Sequence, residues 1–112
     1  EVARAEGKLR AARAFLLDEL ESAWDTAVAG DEVTVEARTG IRLAATHAAA
    51  VSAEVADVAF TLAGGSAVYD SSPFGRCLRD AHVVTQHIQT APKLNETIGK
   101  LLLGIDVDTS MF

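Results

Sequence analysis

The 112-residue chain predicts an all-α fold, an antiparallel up-and-down four-helix bundle with two long and two shorter helices. Half of its residues are apolar (49%) but only 5% are aromatic, and alanine dominates, a balance that suits closely packed helices better than a sheet rich in Val, Ile and Tyr. Larger apolar residues recur at steps of three, four and seven. Glycine and proline interrupt that pattern at a few places only, where turns belong.

The first helix is expected from Val2 to Ala29, with Leu9, Leu16, Leu20, Trp24 and Val28 as its core stripe and Arg10, Arg13, Asp18, Glu21 and Asp25 on other faces. Gly30 and Asp31 stop it. The second begins near Thr34, whose hydroxyl can accept from an orphan amide, while Glu36 suits the positive end of the helix dipole. Its seam is Ile41, Ala44, Ala48, Val51, Val55, Val58 and Leu62, with small residues that let backbones approach. Gly64 and Gly65 end it. After a loop, Ser72 caps and Pro73 opens a third helix, which carries Phe74, Cys77, Leu78, Ala81, Val84 and Ile88 on one face and runs until Pro92 breaks it. A short fourth helix spans roughly Leu94 to Leu103 and closes at Gly104, leaving an extended tail.

The formal charge of −6 argues against a nucleic-acid or anionic-membrane surface. Cys77 is the only cysteine, so neither an internal disulfide nor a thiolate metal cage is possible, and its place on the apolar stripe marks it as a packing residue. No apolar run is expected to approach the ~20 residues of a membrane span, which points to a cytoplasmic chain. The chain opens on Glu1, already within a helical pattern, and so reads as one domain (1–112) cut from something longer.

Chemistry-bearing residues concentrate between Gly64 and Thr90. The double glycine reads as a helix stop with a tight turn, or as a place where backbone amides approach a phosphate. Arg79 and Asp80 are isolated helix charges, or a fork that orients a phosphate or carboxylate. On a continuous helix His82 and His87 project about 140° apart, a poor metal pair, but either can donate a hydrogen bond or carry a proton. No metal site is expected, because neither His-Glu-x-x-His nor Glu-x-x-His occurs. Ser66, Ser71 and Ser72 are accounted for as turn and cap residues, and His47 as structural.

Leu62, Ala63, Gly64 and Gly65, then Tyr69, Pro73, Arg76, Arg79, Asp80 and Ala81, together resemble the carboxyl-terminal helical domain of the acyl-CoA dehydrogenase superfamily, over essentially the whole chain. The resemblance implies a parent with FAD or FMN that assembles as a homotetramer through this domain. In the dehydrogenase branch the run after Arg-Asp-Ala carries a glutamate base. Aligned from Arg79, Ile88 takes that place and His87 the preceding tyrosine's, and isoleucine cannot accept a proton. The wording from Ser71 to His82, with Gln86 and His87, is more similar to the two-component flavin monooxygenases, which receive reduced flavin from a separate reductase. In that branch the resemblance implies His87, supported by His82, as donor to the reacting oxygen, with Arg79, Asp80, Gly64 and Gly65 at the cofactor. A dehydrogenase that passes electrons to an electron-transferring flavoprotein, and a helical module that only mediates assembly, are the alternatives.

Overall fold

The computed structural model describes residues 1–112 and contains four α-helices and no strand: α1 (Val2–Val28), α2 (Val35–Ala63), α3 (Pro73–Val84) and α4 (Leu94–Leu102). Every helix packs on α2, whereas the backbones of α1, α3 and α4 stay apart from one another. The bundle is therefore arranged around one central rod, 51 × 26 × 22 Å in extent.

The caps follow the sequence closely. Asp31 N–H reaches Thr26 O and Gly30 N–H reaches Ala27 O, a paired closure that requires the positive φ of 82° at Gly30. Thr34 Oγ1 accepts from Ala37 N–H at 3.1 Å and starts α2. The short connection folds α1 back along α2, where Lys8 pairs with Glu54 and the Phe15 and His47 rings lie 6.2 Å apart. His47 thus tethers α1 to α2.

The packed face of α1 differs from the expected one. Ala12 and Ala23 are buried, and Ala5, Phe15, Leu16, Glu19 and Thr26 are half-buried. Of the expected stripe, Leu9, Leu20, Trp24 and Val28 are exposed, and only Leu16 shares in the contact. Small residues win this contact because they let α1 approach α2 closely, and the large ones are left on a separate face. Along α2 the seam holds: Ala44 and Val51 are buried, and Ile41, Ala48, Val55 and Val58 are half-buried. Leu62 at its end is exposed.

A second expectation also changes. By length and composition α2 is apolar enough to cross a membrane. Alanine spread among single charges hides this from a search for unbroken apolar runs, and in this fold α1, α3 and α4 pack along that helix.

Two turns and a tail complete the chain. Beyond α2, Gly64–Val68 forms a short 3-10 helix rather than an open loop, with Ala67 buried in it. α3 returns along the end of α2, and α4, anchored by the buried Ile98, packs toward its start. The last residues lie back on α2, where Arg38 donates to Phe112 O at 3.3 Å and Arg42 to Met111 O at 3.2 Å.

Candidate functional site

The site residues sit where α2 ends, along α3, and in the turn after it. Gly64 caps α2 at φ 68°, ψ −153°, backbone space open to glycine alone, and its N–H is held by Thr61 O. Nothing lies within 4 Å of where a side chain on Gly65 would begin, so the backbone here is open to approach. Ser72 Oγ then accepts from Phe74 N–H at 3.4 Å, and Pro73 takes the first turn of α3.

α3 is shorter than the sequence indicates. It ends at Val84, and residues 85–90 form a corner, so Ile88 is not on its face and Pro92 breaks nothing. The run Val83, Val84, Thr85 is β-branched and holds a helix weakly. Moreover the Val84 carbonyl is taken by the Thr90 hydroxyl at 2.5 Å and by His87 N–H at 3.2 Å, which closes the turn. Gly75, Leu78 and Ala81 are half-buried. Cys77 is exposed, contrary to its expected packing role, because α3 turns this smaller-residue face inward.

The two imidazoles therefore belong to different elements, and the 140° relation of a continuous helix does not apply. His82 Nε2 lies 3.1 Å from Asp57 Oδ1 on α2, with both side chains about half exposed. His87 stands in the corner, where its Nδ1 accepts from Gln89 N–H at 3.2 Å. An acceptor role at Nδ1 puts the proton of the neutral ring on Nε2, so His87 offers one exposed N–H donor. No hydrogen bond joins His82 to His87.

Arg79 and Asp80 are exposed, and neither forms an ion pair. The Arg79 guanidinium lies back over Gly75, where a Cβ would meet it at 3.6 Å. Asp57 is the residue that sequence reasoning missed: it is one of several charges on α2, and only the pairing of α2 with α3 singles it out. An open groove of about 700 Å³, lined by Glu19, Thr34, Val35, Gly40, Leu43 and Leu101 among others, includes none of the six candidate residues. No group of three His, Cys, Asp or Glu side chains is arranged to hold a metal ion.

A flavin is the cofactor that the superfamily implies, and the groups present here are of kinds that can hold one. An unpaired guanidinium suits a phosphate, an outward N–H donor suits a polarised oxygen, and the backbone at Gly65 leaves room for either to be approached. They do not by themselves enclose a ring system.

A family model described as acyl-CoA dehydrogenase, C-terminal domain, matches residues 1–92. The chain belongs to that family. Among individual relatives, it is 44% identical over 104 residues to an indole-3-acetate monooxygenase of Pseudomonas putida, covering 93% of this chain and 27% of the relative. An indole-3-acetate monooxygenase of Acinetobacter baumannii is 35% identical over 105 residues, 94% of this chain and 27% of the relative. A pigment production hydroxylase of Rhodococcus erythropolis is 34% identical over 91 residues, 81% of this chain and 23% of the relative. The chain thus spans about a quarter of the length of the curated relatives it matches.

Proposed function

We propose that this chain is the carboxyl-terminal helical part of a two-component flavin monooxygenase that hydroxylates a small aromatic acid of the indole-3-acetate kind. The observation that carries this reading is the match of 93% of the chain, at 44% identity, to a relative named for that activity. It agrees with Ile88 in place of the dehydrogenase glutamate, since a chain without that base is unsuited to removing an α proton.

When bound, reduced FAD or FMN supplies the oxygen-activating chemistry. In this reading His87 donates its Nε2–H to the reacting oxygen or to the developing oxyanion, and the Gln89 amide on Nδ1 fixes which ring nitrogen carries the proton. His82, held by Asp57, supports it. Arg79, with Asp80 beside it, and the Gly64–Gly65 backbone hold a phosphate. The parent is a cytoplasmic homotetramer built through this domain and served by a flavin reductase.

The test is oxygen uptake and product formation by the full-length protein, given reduced flavin and indole-3-acetate. Hydroxylated product coupled to oxygen use supports the reading. A second reading, oxidation of an acyl thioester with electron-transferring flavoprotein as acceptor, draws on the name of the matching family. Acyl-CoA-dependent dye reduction without hydroxylation would establish that reading instead.

A further inference from the structure

We propose that Arg38 and Arg42 form a binding site for an aryl carboxylate, a small acid with an aromatic ring, and that residues 105–112 hold this site shut in cis through Phe112. The inference goes beyond the flavin reading and does not depend on it.

The two arginines stand four positions apart near the start of α2, so they share one face of the helix, and both are half-buried. Neither forms an ion pair, although the chain has 16 acidic residues against 10 basic ones. Their partners are main-chain oxygens of one short segment: Arg38 Nη1 donates to Phe112 O at 3.3 Å and Arg42 Nη2 to Met111 O at 3.2 Å. The Arg42 guanidinium carbon also lies 5.9 Å from the centre of the Phe112 ring, within cation–π range. Local turns shape the segment to reach them. The Asp108 carboxylate accepts from Ser110 N–H at 2.9 Å, and Thr109 O accepts from Phe112 N–H at 3.0 Å. Val107, Thr109 and Phe112 are half-buried, while Asp106 and Asp108 are exposed.

This segment supplies less than the arginines can use. Two carbonyl oxygens bring no counter-charge to two guanidinium ions, and Phe112 O reaches Nη1 of Arg38 but leaves its buried Nε–H without an acceptor. A buried donor left unmet is costly. A carboxylate carries the missing charge and has two oxygens, which can take two N–H groups of one guanidinium side by side. The acceptor that completes Arg38 is therefore a carboxylate, and the group that Arg42 already carries on its face is an aromatic ring. One small molecule that offers both is an aryl carboxylate. Phe112, with a ring and a neutral oxygen, is a tethered and weaker stand-in for it. Arg38 stands 26 positions before Gly64, about 39 Å along the helix, so this site shares no residue with the six candidates above.

The test uses the full 112-residue chain without flavin, and phenylacetate as the probe, followed by NMR. Phenylacetate should bind saturably, shift the side-chain Nε–H signals of Arg38 and Arg42, and move the amide signals of Ser110 to Phe112 as the segment is displaced. Phe112→Ala removes the competing ring and should bind the probe about threefold or more tightly. Arg38→Gln and Arg42→Gln should each weaken binding about tenfold or more, as should replacing the probe by acetate, which lacks the ring, or by phenylacetamide, which lacks the charge. Circular dichroism checks that each variant keeps its helices. No saturable shift in either the unaltered chain or Phe112→Ala overturns the site. Binding that survives both arginine substitutions unchanged overturns its assignment to Arg38 and Arg42. Binding that Phe112→Ala does not strengthen, with the Ser110 to Phe112 amides unmoved, overturns closure by the segment. None of these readouts measures oxygen use, so they stand or fall apart from the hydroxylation test.

Discussion

The acceptor role of His87 Nδ1 gives the most specific expectation for a single residue. On the monooxygenase reading proposed above, His87→Ala in the full-length protein should lower the yield of product per oxygen consumed and slow hydroxylation by about 10²-fold, measured by oxygen uptake against product. His82→Ala removes an exposed contact to Asp57, so thermal unfolding should show a loss of less than about 1 kcal/mol. Thr46 behaves oppositely. Its hydroxyl is buried without a partner, so Thr46→Val should raise stability by about 1 kcal/mol. The sequence marks His82 and His87 as candidates by their place in the run from Ser71 onward that resembles the monooxygenase branch. It does not reveal that Asp57 holds one and the Gln89 amide the other, since the first pairing spans 25 positions and the second exists only once the helix has stopped.

At the level of elements, start and stop signals were far more legible than inward faces. Thr34, Ser72, Gly30 and Gly64 act through hydrogen bonds and backbone angles local to them, and all four work as read. Thr34→Ala should therefore cost about 1 kcal/mol in a denaturant titration, through the start of α2. Which face turns inward depends on the partner helix, and so the large residues of α1 lie outside its contact with α2, while α3 ends early because the Val84 carbonyl is taken by Thr90 and His87. α4 has its own pH signature. The hydrogen bond from Lys100, then its charge, hold the Glu96 carboxyl below its ordinary 4.5. A depressed carboxyl stabilises the folded state fully above its unfolded value, and that contribution disappears as pH falls through the lower, folded one. NMR titration should show the Glu96 midpoint moving up toward 4.5 in Lys100→Gln.

For the whole molecule, the all-helical class followed from composition and periodicity, because alanine-rich amphipathic segments have few other ways to bury their stripes. The arrangement around α2 did not follow, since periodicity says that a face is apolar without naming the helix that covers it. The radius of gyration, 16.7 Å, exceeds the ~13 Å of a compact chain of this length, in keeping with a rod. That rod has a consequence for how its parts melt. With the backbones of α1, α3 and α4 held apart, each can peel from α2 with little effect on the other two. Amide hydrogen exchange should therefore find α2 the slowest, with its three neighbours opening as separate cooperative units. Substitutions in α1 and α4 should add in free energy to within about 0.5 kcal/mol, because no shared neighbour outside α2 couples them.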